Sequence, residues 1–122
     1  TGQDAGIICA GLNRKDTQEL ITFATIQSIT GLLGEMEHPD LIIIDEAHRV
    51  PHNHGEPTLY ENILRRFKKC SRVAMTATPW RMDNGIIYGD GEEFFFDTLA
   101  YNYNVTKAVE DEWLCPFKHL SG

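Results

Sequence analysis

No stretch of this sequence is apolar for long enough to cross a bilayer. The longest aliphatic run is Leu41-Ile42-Ile43-Ile44, and no secretory signal opens the chain. Three scattered cysteines, Cys9, Cys70 and Cys115, form no CxxC pair and no even framework. That excludes a disulfide scaffold and suits a reducing cytoplasm. No internal repeat, low-complexity tract or Ser/Pro-rich linker divides the 122 residues, so one domain over 1–122 is expected. Excess positive charge is missing too. A net charge of −7 speaks against a dedicated nucleic-acid-binding module. The first residue is Thr1 rather than Met, which reads as a piece of something longer.

What is present is the balance of an ordinary globular fold, 42% hydrophobic and 24% charged, enough to bury a core. The charge is uneven. Residues 1–48 carry two bases and eight acids, residues 49–82 seven bases and two acids, and residues 83–122 two bases and eight acids. The basic middle reads first as a solvated helix face and second as a surface for phosphates. Strand-like runs fall at Ile7–Ala10, Ile21–Thr25, Leu41–Asp45 and Arg72–Thr76, with a weaker one at Ala100–Tyr103. Between them, Ile26, Ile29, Leu32 and Leu33 predict a helix stopped by Gly34. Leu59 to Phe67 predict another, with Pro57 in its first turn. Val105, Ala108, Val109 and Trp113 predict a last helix ending before Pro116. Residues 83–100, rich in Gly and acids, read as a surface excursion. Strands alternating with helices predict an α/β domain with a mainly parallel sheet, and Leu41–Ile44 reads as its central strand, covered on both faces.

Asp45-Glu46-Ala47-His48 follows directly on that strand. Ligands of open parallel sheets bind outside the carboxyl ends of the strands. Two adjacent carboxylates there suit a metal–phosphate site, one holding Mg²⁺ and the other orienting or deprotonating water. An acidic helix start is the plain alternative. Met75-Thr76-Ala77-Thr78-Pro79 closes the next strand, where its hydroxyls can bond the acidic motif or serve only as turn chemistry. Thr25, in Ala24-Thr25-Ile26-Gln27-Ser28, is placed to cap the following helix.

Together, LIIIDEAH, TATP and the upstream ITFATIQSI resemble the first RecA-like motor domain of superfamily 2 DEAD/DEAH-box helicases. The tail from TATPWRMDNG to Trp113-Leu114-Cys115-Pro116 is similar to the bacterial and phage DNA-helicase branch, relatives of type III restriction motors. The resemblance implies a partial RecA-like, P-loop NTPase-type fold and ATP with Mg²⁺ as cofactors. It implies Asp45 on the Mg²⁺–nucleotide, Glu46 on the hydrolytic water, and His48 coupling that site to Thr76, Ala77 and Thr78. It also implies that Thr25, Gln27 and Arg81 face nucleic acid, DNA in particular. No GxxxxGK[ST] loop occurs in the chain, and no second motor domain. The expectation is therefore the later part of domain one, inactive alone, its partners being an N-terminal segment and a second RecA-like domain of a longer protein. By the same analogy the phosphate-loop strand would pair beside Arg72–Thr76, leaving a sheet edge open to self-association.

Two other classes stay in view. One is a non-enzymatic binding module that keeps the fold as a platform. The other is a metal-dependent hydrolase built on His48, His52 and His54, although the cysteines show no matching zinc spacing. Phe94-Phe95-Phe96 reads as a core-facing strand. Trp80 reads either as packed under the loop that follows or as a nucleic-acid stacking residue.

Overall fold

The computed structural model describes residues 4–50, 58–81, 85–91 and 94–116. The architecture is α/β. Strand β1 (Gly6–Cys9) pairs antiparallel with the short β2 (Arg14–Lys15) and parallel with β3 (Thr22–Ala24), giving the order β2-β1-β3. Strand β4 (Leu41–Ile44) pairs in parallel with β5 (Ser71–Ala74), Leu41 opposite Ser71 and Ile44 opposite Ala74. Strands β6 (Trp80–Arg81) and β7 (Gly85–Ile86) form a small antiparallel ribbon. Helices α1 (Ile26–Thr30), α2 (Leu59–Arg66) and α3 (Val105–Glu110) complete the set, and α1 lies against α2.

The core gathers on one face of the β4–β5 pair. Ile44, Ala47, Val50, Leu64, Ile87 and Phe96 are buried together, with Ile42, Tyr60, Ala74 and Phe95 packed around them. Helix α2 begins in a reciprocal capping box: Thr58 accepts from the Glu61 amide, and the Glu61 carboxylate accepts from the Thr58 amide. Its other end is held by Arg72 of β5, which donates to the carbonyls of Leu64 at 2.8 Å and Phe67 at 3.4 Å. The same guanidinium reaches the Phe95 carbonyl and lies over the Phe95 ring.

Several sequence expectations need correction. Helix α1 ends at Thr30 rather than Gly34, and turns carry the chain on to Glu35. Thr30 Oγ1 donates back to the Ile26 carbonyl, a local bond that competes with regular helix, and Gly31 follows. Thr25 stands at the N-cap position without a capping bond. The expected surface excursion over 83–100 is corrected within its described residues 85–91 and 94–100, where Ile87 and Phe96 enter the core. Ala100–Tyr103 joins no ladder, and Phe94–Phe96 is not a strand although Phe96 is buried. Trp113 lies beyond α3 and is 78% exposed. Trp80 is exposed, paired across the ribbon with Ile86 rather than packed beneath a loop. Pro57, His52 and His54 lie outside the described residues.

The largest departure concerns β4. Its alternate side chains Leu41 and Ile43 are 49% and 60% exposed, and Val73 of β5 beside them is also exposed. One face of this parallel pair is covered and the other is bare. Among the described residues β4 and β5 have only each other as ladder partners.

Candidate functional site

The acidic motif leaves the carboxyl end of β4 and is pinned at once to its neighbour. The Met75 amide donates to the Ile44 carbonyl at 2.9 Å, and the Ala47 amide donates to the Met75 carbonyl at 3.0 Å. Between these two anchors Asp45 and Glu46 are exposed. Asp45 Oδ1 accepts the Glu46 amide at 2.9 Å. Glu46 itself adopts the left-handed region, φ 52° and ψ 44°, before Ala47–Arg49 closes a single 3₁₀ turn over the fully buried Ala47. A left-handed non-glycine residue is costly, and such residues concentrate at functional sites.

His48 is half-buried and meets two partners through one ring nitrogen. Its Nδ1 lies 3.0 Å from Thr76 Oγ1 and 3.2 Å from Glu46 Oε2. Thr76 Oγ1 donates to the Thr78 carbonyl at 3.2 Å and accepts from the Thr78 amide at 3.1 Å. Because that hydroxyl proton is committed to Thr78, the Thr76 oxygen faces His48 as an acceptor. A carboxylate can only accept, so both neighbours call for a proton on Nδ1. The structure thus brings Asp45, Glu46, His48, Thr76 and Thr78 to one corner, with Ala77 as the exposed spacer between the two threonines.

The donor set at this corner is all oxygen apart from the histidine. Asp45 Oδ1 is occupied by an amide while the rest of the carboxylate faces solvent, which fits a hard divalent cation that keeps most of its water. Among the described residues no group of three His, Cys, Asp or Glu side chains forms a metal cluster.

Thr25 and Gln27 sit elsewhere, at the start of α1, and neither bonds the acidic corner. Thr25 Oγ1 bonds Ser28 Oγ at 2.9 Å, and Gln27 is exposed. Arg81 ends β6, two residues beyond Pro79. Sequence reasoning overlooked Ser28, whose hydroxyl also accepts the Ala10 amide at 2.9 Å and so ties α1 to the end of β1. Its position three residues after Thr25 was the available signal.

Here a parallel strand pair ends in adjacent carboxylates, one of them bonded through a histidine to a hydroxyl of the next strand end. Residues 2–81 match the family described as type III restriction enzyme, res subunit, and the chain belongs to it, which supports a helicase-type motor domain. A 51.5 kDa protein of a Lactococcus phage is 29% identical over 101 residues, covering 83% of this chain and 20% of the phage protein. A probable helicase of African swine fever virus is 32% identical over 104 residues, covering 85% of this chain and 11% of the viral protein. The chain therefore spans a fifth or less of these relatives. No helix among the described residues is long and apolar enough to cross a membrane.

Proposed function

We propose that this chain carries the water-activating acid of an ATP-driven motor that moves on nucleic acid, DNA in particular, as part of the first RecA-like domain of a superfamily 2 DEAD/DEAH-box helicase. The observation that supports it best is the hydrogen-bonded corner in which Glu46, His48 and Thr76 join two neighbouring strand ends. Bound Mg²⁺–ATP would supply the electrophilic phosphorus and neutralise charge on its oxygens. Asp45, whose Oδ1 accepts the Glu46 amide, would hold the metal side of that complex. Glu46, exposed and turned outward by its left-handed backbone, orients the attacking water and takes its proton. His48 meets both Glu46 and Thr76 through Nδ1, so a shift of the Thr76–Thr78 turn reaches the acid through that one nitrogen. Thr25, Gln27 and Arg81 face the nucleic-acid strand in this reading. The backbone cradle for the ATP phosphates is not encoded in these 122 residues, and residues 1–122 alone do not turn over ATP.

The test is ATP turnover and nucleotide binding of the full-length protein with and without DNA. Asp45→Asn is expected to weaken binding of Mg²⁺–ATP as well as turnover. His48→Ala is expected to spare basal turnover and abolish its stimulation by DNA. Full DNA stimulation in the His48 variant would contradict the coupling role.

A further inference from the structure

Trp80 is 59% exposed and stands in β6 directly opposite Ile86 of β7, itself 51% exposed, so the two share one bare face of the ribbon. Burying an indole is among the larger gains open to a fold, and here that gain is forgone. The ribbon is nonetheless firmly seated. The amide of Ile87, the residue after β7, donates to the Pro79 carbonyl at 3.1 Å. The Ile87 side chain is buried in the core with Ile44 and Ala47, the residues on either side of Asp45 and Glu46. Pro79, its φ fixed by its ring, joins Trp80 to Thr78, whose amide and carbonyl both bond the Thr76 hydroxyl. The indole is thus held out to solvent two residues from the turn that meets His48.

Size and charge select what covers it. On this face the ribbon offers two side chains, whereas a stable protein partner needs about 800 Å² on each side. A single flat ring matches a patch of that size. The described residues 74–81 and 85–89 include no carboxylate, and Arg81 is their single charge, so these segments do not repel a phosphodiester chain. Trp113, the other tryptophan, is more exposed at 78% but follows Glu110, Asp111 and Glu112. Every nucleobase has a π-face that stacks on an aromatic side chain.

We propose that Trp80 is a stacking platform for one base of the nucleic-acid strand, seated beside Ile86. The inference rests on the nucleic-acid reading above and adds a contact to a base, a role the resemblance assigns to no residue. It also gives the strand a short route to the acidic corner, because a base pressing on Trp80 bears on the Pro79–Thr78 turn. A stacked base releases no counterion, so this contact is separable from any phosphate contact: removing it lowers affinity without changing the salt slope.

The experiment measures the affinity of the full-length protein for two fluorescent oligomers of equal length across a salt series, oligothymidylate and an abasic deoxyribose-phosphate chain. The proteins are wild type, Trp80→Ala, Trp80→Tyr and Trp113→Ala. Trp80→Ala is expected to weaken oligothymidylate binding about 5-fold or more with an unaltered salt slope. The preference for oligothymidylate over the abasic chain is expected to shrink by the same factor and to return in Trp80→Tyr. Trp113→Ala is expected to change neither. Equal loss on both oligomers in Trp80→Ala, or loss on neither, would overturn the platform and leave the motor reading standing. No binding of either oligomer by wild type would overturn both. A Trp80→Ala change confined to sedimentation, with both affinities unaltered, would mark a protein contact and overturn the base assignment.

Discussion

Glu46 sits in a backbone conformation that costs a residue with a Cβ about 1–2 kcal/mol, and the fold holds it there by bonding the amides on either side. Glycine adopts the same angles freely. Glu46→Gly is therefore expected to stabilise the fold by about 1 kcal/mol in urea unfolding, even as it removes the acid. Lower stability would show that the Glu46–His48 contact outweighs the backbone cost. The tetrapeptide Asp45–His48 was legible because chemistry-bearing side chains are visible in a sequence. The strained backbone was not, since nothing marks a left-handed glutamate. Tyr103 gives a second residue-scale test. Partial desolvation, then its bond to Asp111 at 2.8 Å and that carboxylate's charge, push its phenol up from 10.0 to about 12. The folded state favours the protonated form, so its contribution to stability is complete below pH 10.0 and is lost as pH rises through about 12. Ultraviolet titration should find one tyrosine ionising only toward pH 12, absent in Tyr103→Phe; uniform ionisation near 10 would refute this.

At the scale of elements, β1, β3, β4, β5, α2 and α3 were readable, α1 was overread, and the two-residue strands β2, β6 and β7 were not seen. Of the expected strand-like runs, Leu41–Asp45 contains β4, and Arg72–Thr76 overlaps β5, which begins one residue earlier at Ser71. Helix α1 was overread because Ile26, Ile29 and Leu32 keep helical spacing while Thr30 and Gly31 end the helix locally. The roles of Ile87 and Phe96 were hidden because acids and glycines surround them, and composition says nothing about which two side chains a loop buries. Arg72 was read as the start of a strand-like run inside the basic middle of the chain. The structure makes it the tie between β5, the end of α2 and the segment at Phe95. Arg72→Met keeps much of the packing and removes every one of those donors. It is expected to cost about 2 kcal/mol, the worth of bonds from a charged donor plus stranded carbonyls. Urea unfolding measures this; a cost within about 0.5 kcal/mol, as for an ordinary surface substitution, would show that the tie is incidental.

For the whole molecule, the bare face of the β4–β5 pair is the governing fact. Parallel strands ordinarily have both faces covered, and a two-stranded sheet is marginal by itself. Leu41, Ile43 and Val73 exposed beside an open strand edge are an invitation to pair. Residues 1–122 alone are expected to self-associate in sedimentation experiments as concentration rises, and Ile43→Lys to suppress this. A strict monomer at high concentration would contradict it. The acidic corner lies at the carboxyl end of this same pair.

Glu46, as the acid that activates water, is tested most directly by a single substitution. The measurement is steady-state ATP turnover of the full-length protein carrying Glu46→Gln, with ATP affinity determined on the same sample. Glutamine keeps the size and reach of glutamate but cannot take a proton, and general-base contributions run to about 100- to 10,000-fold. Turnover is expected to fall by at least about 100-fold with ATP affinity retained; turnover near wild type would remove Glu46 from that role.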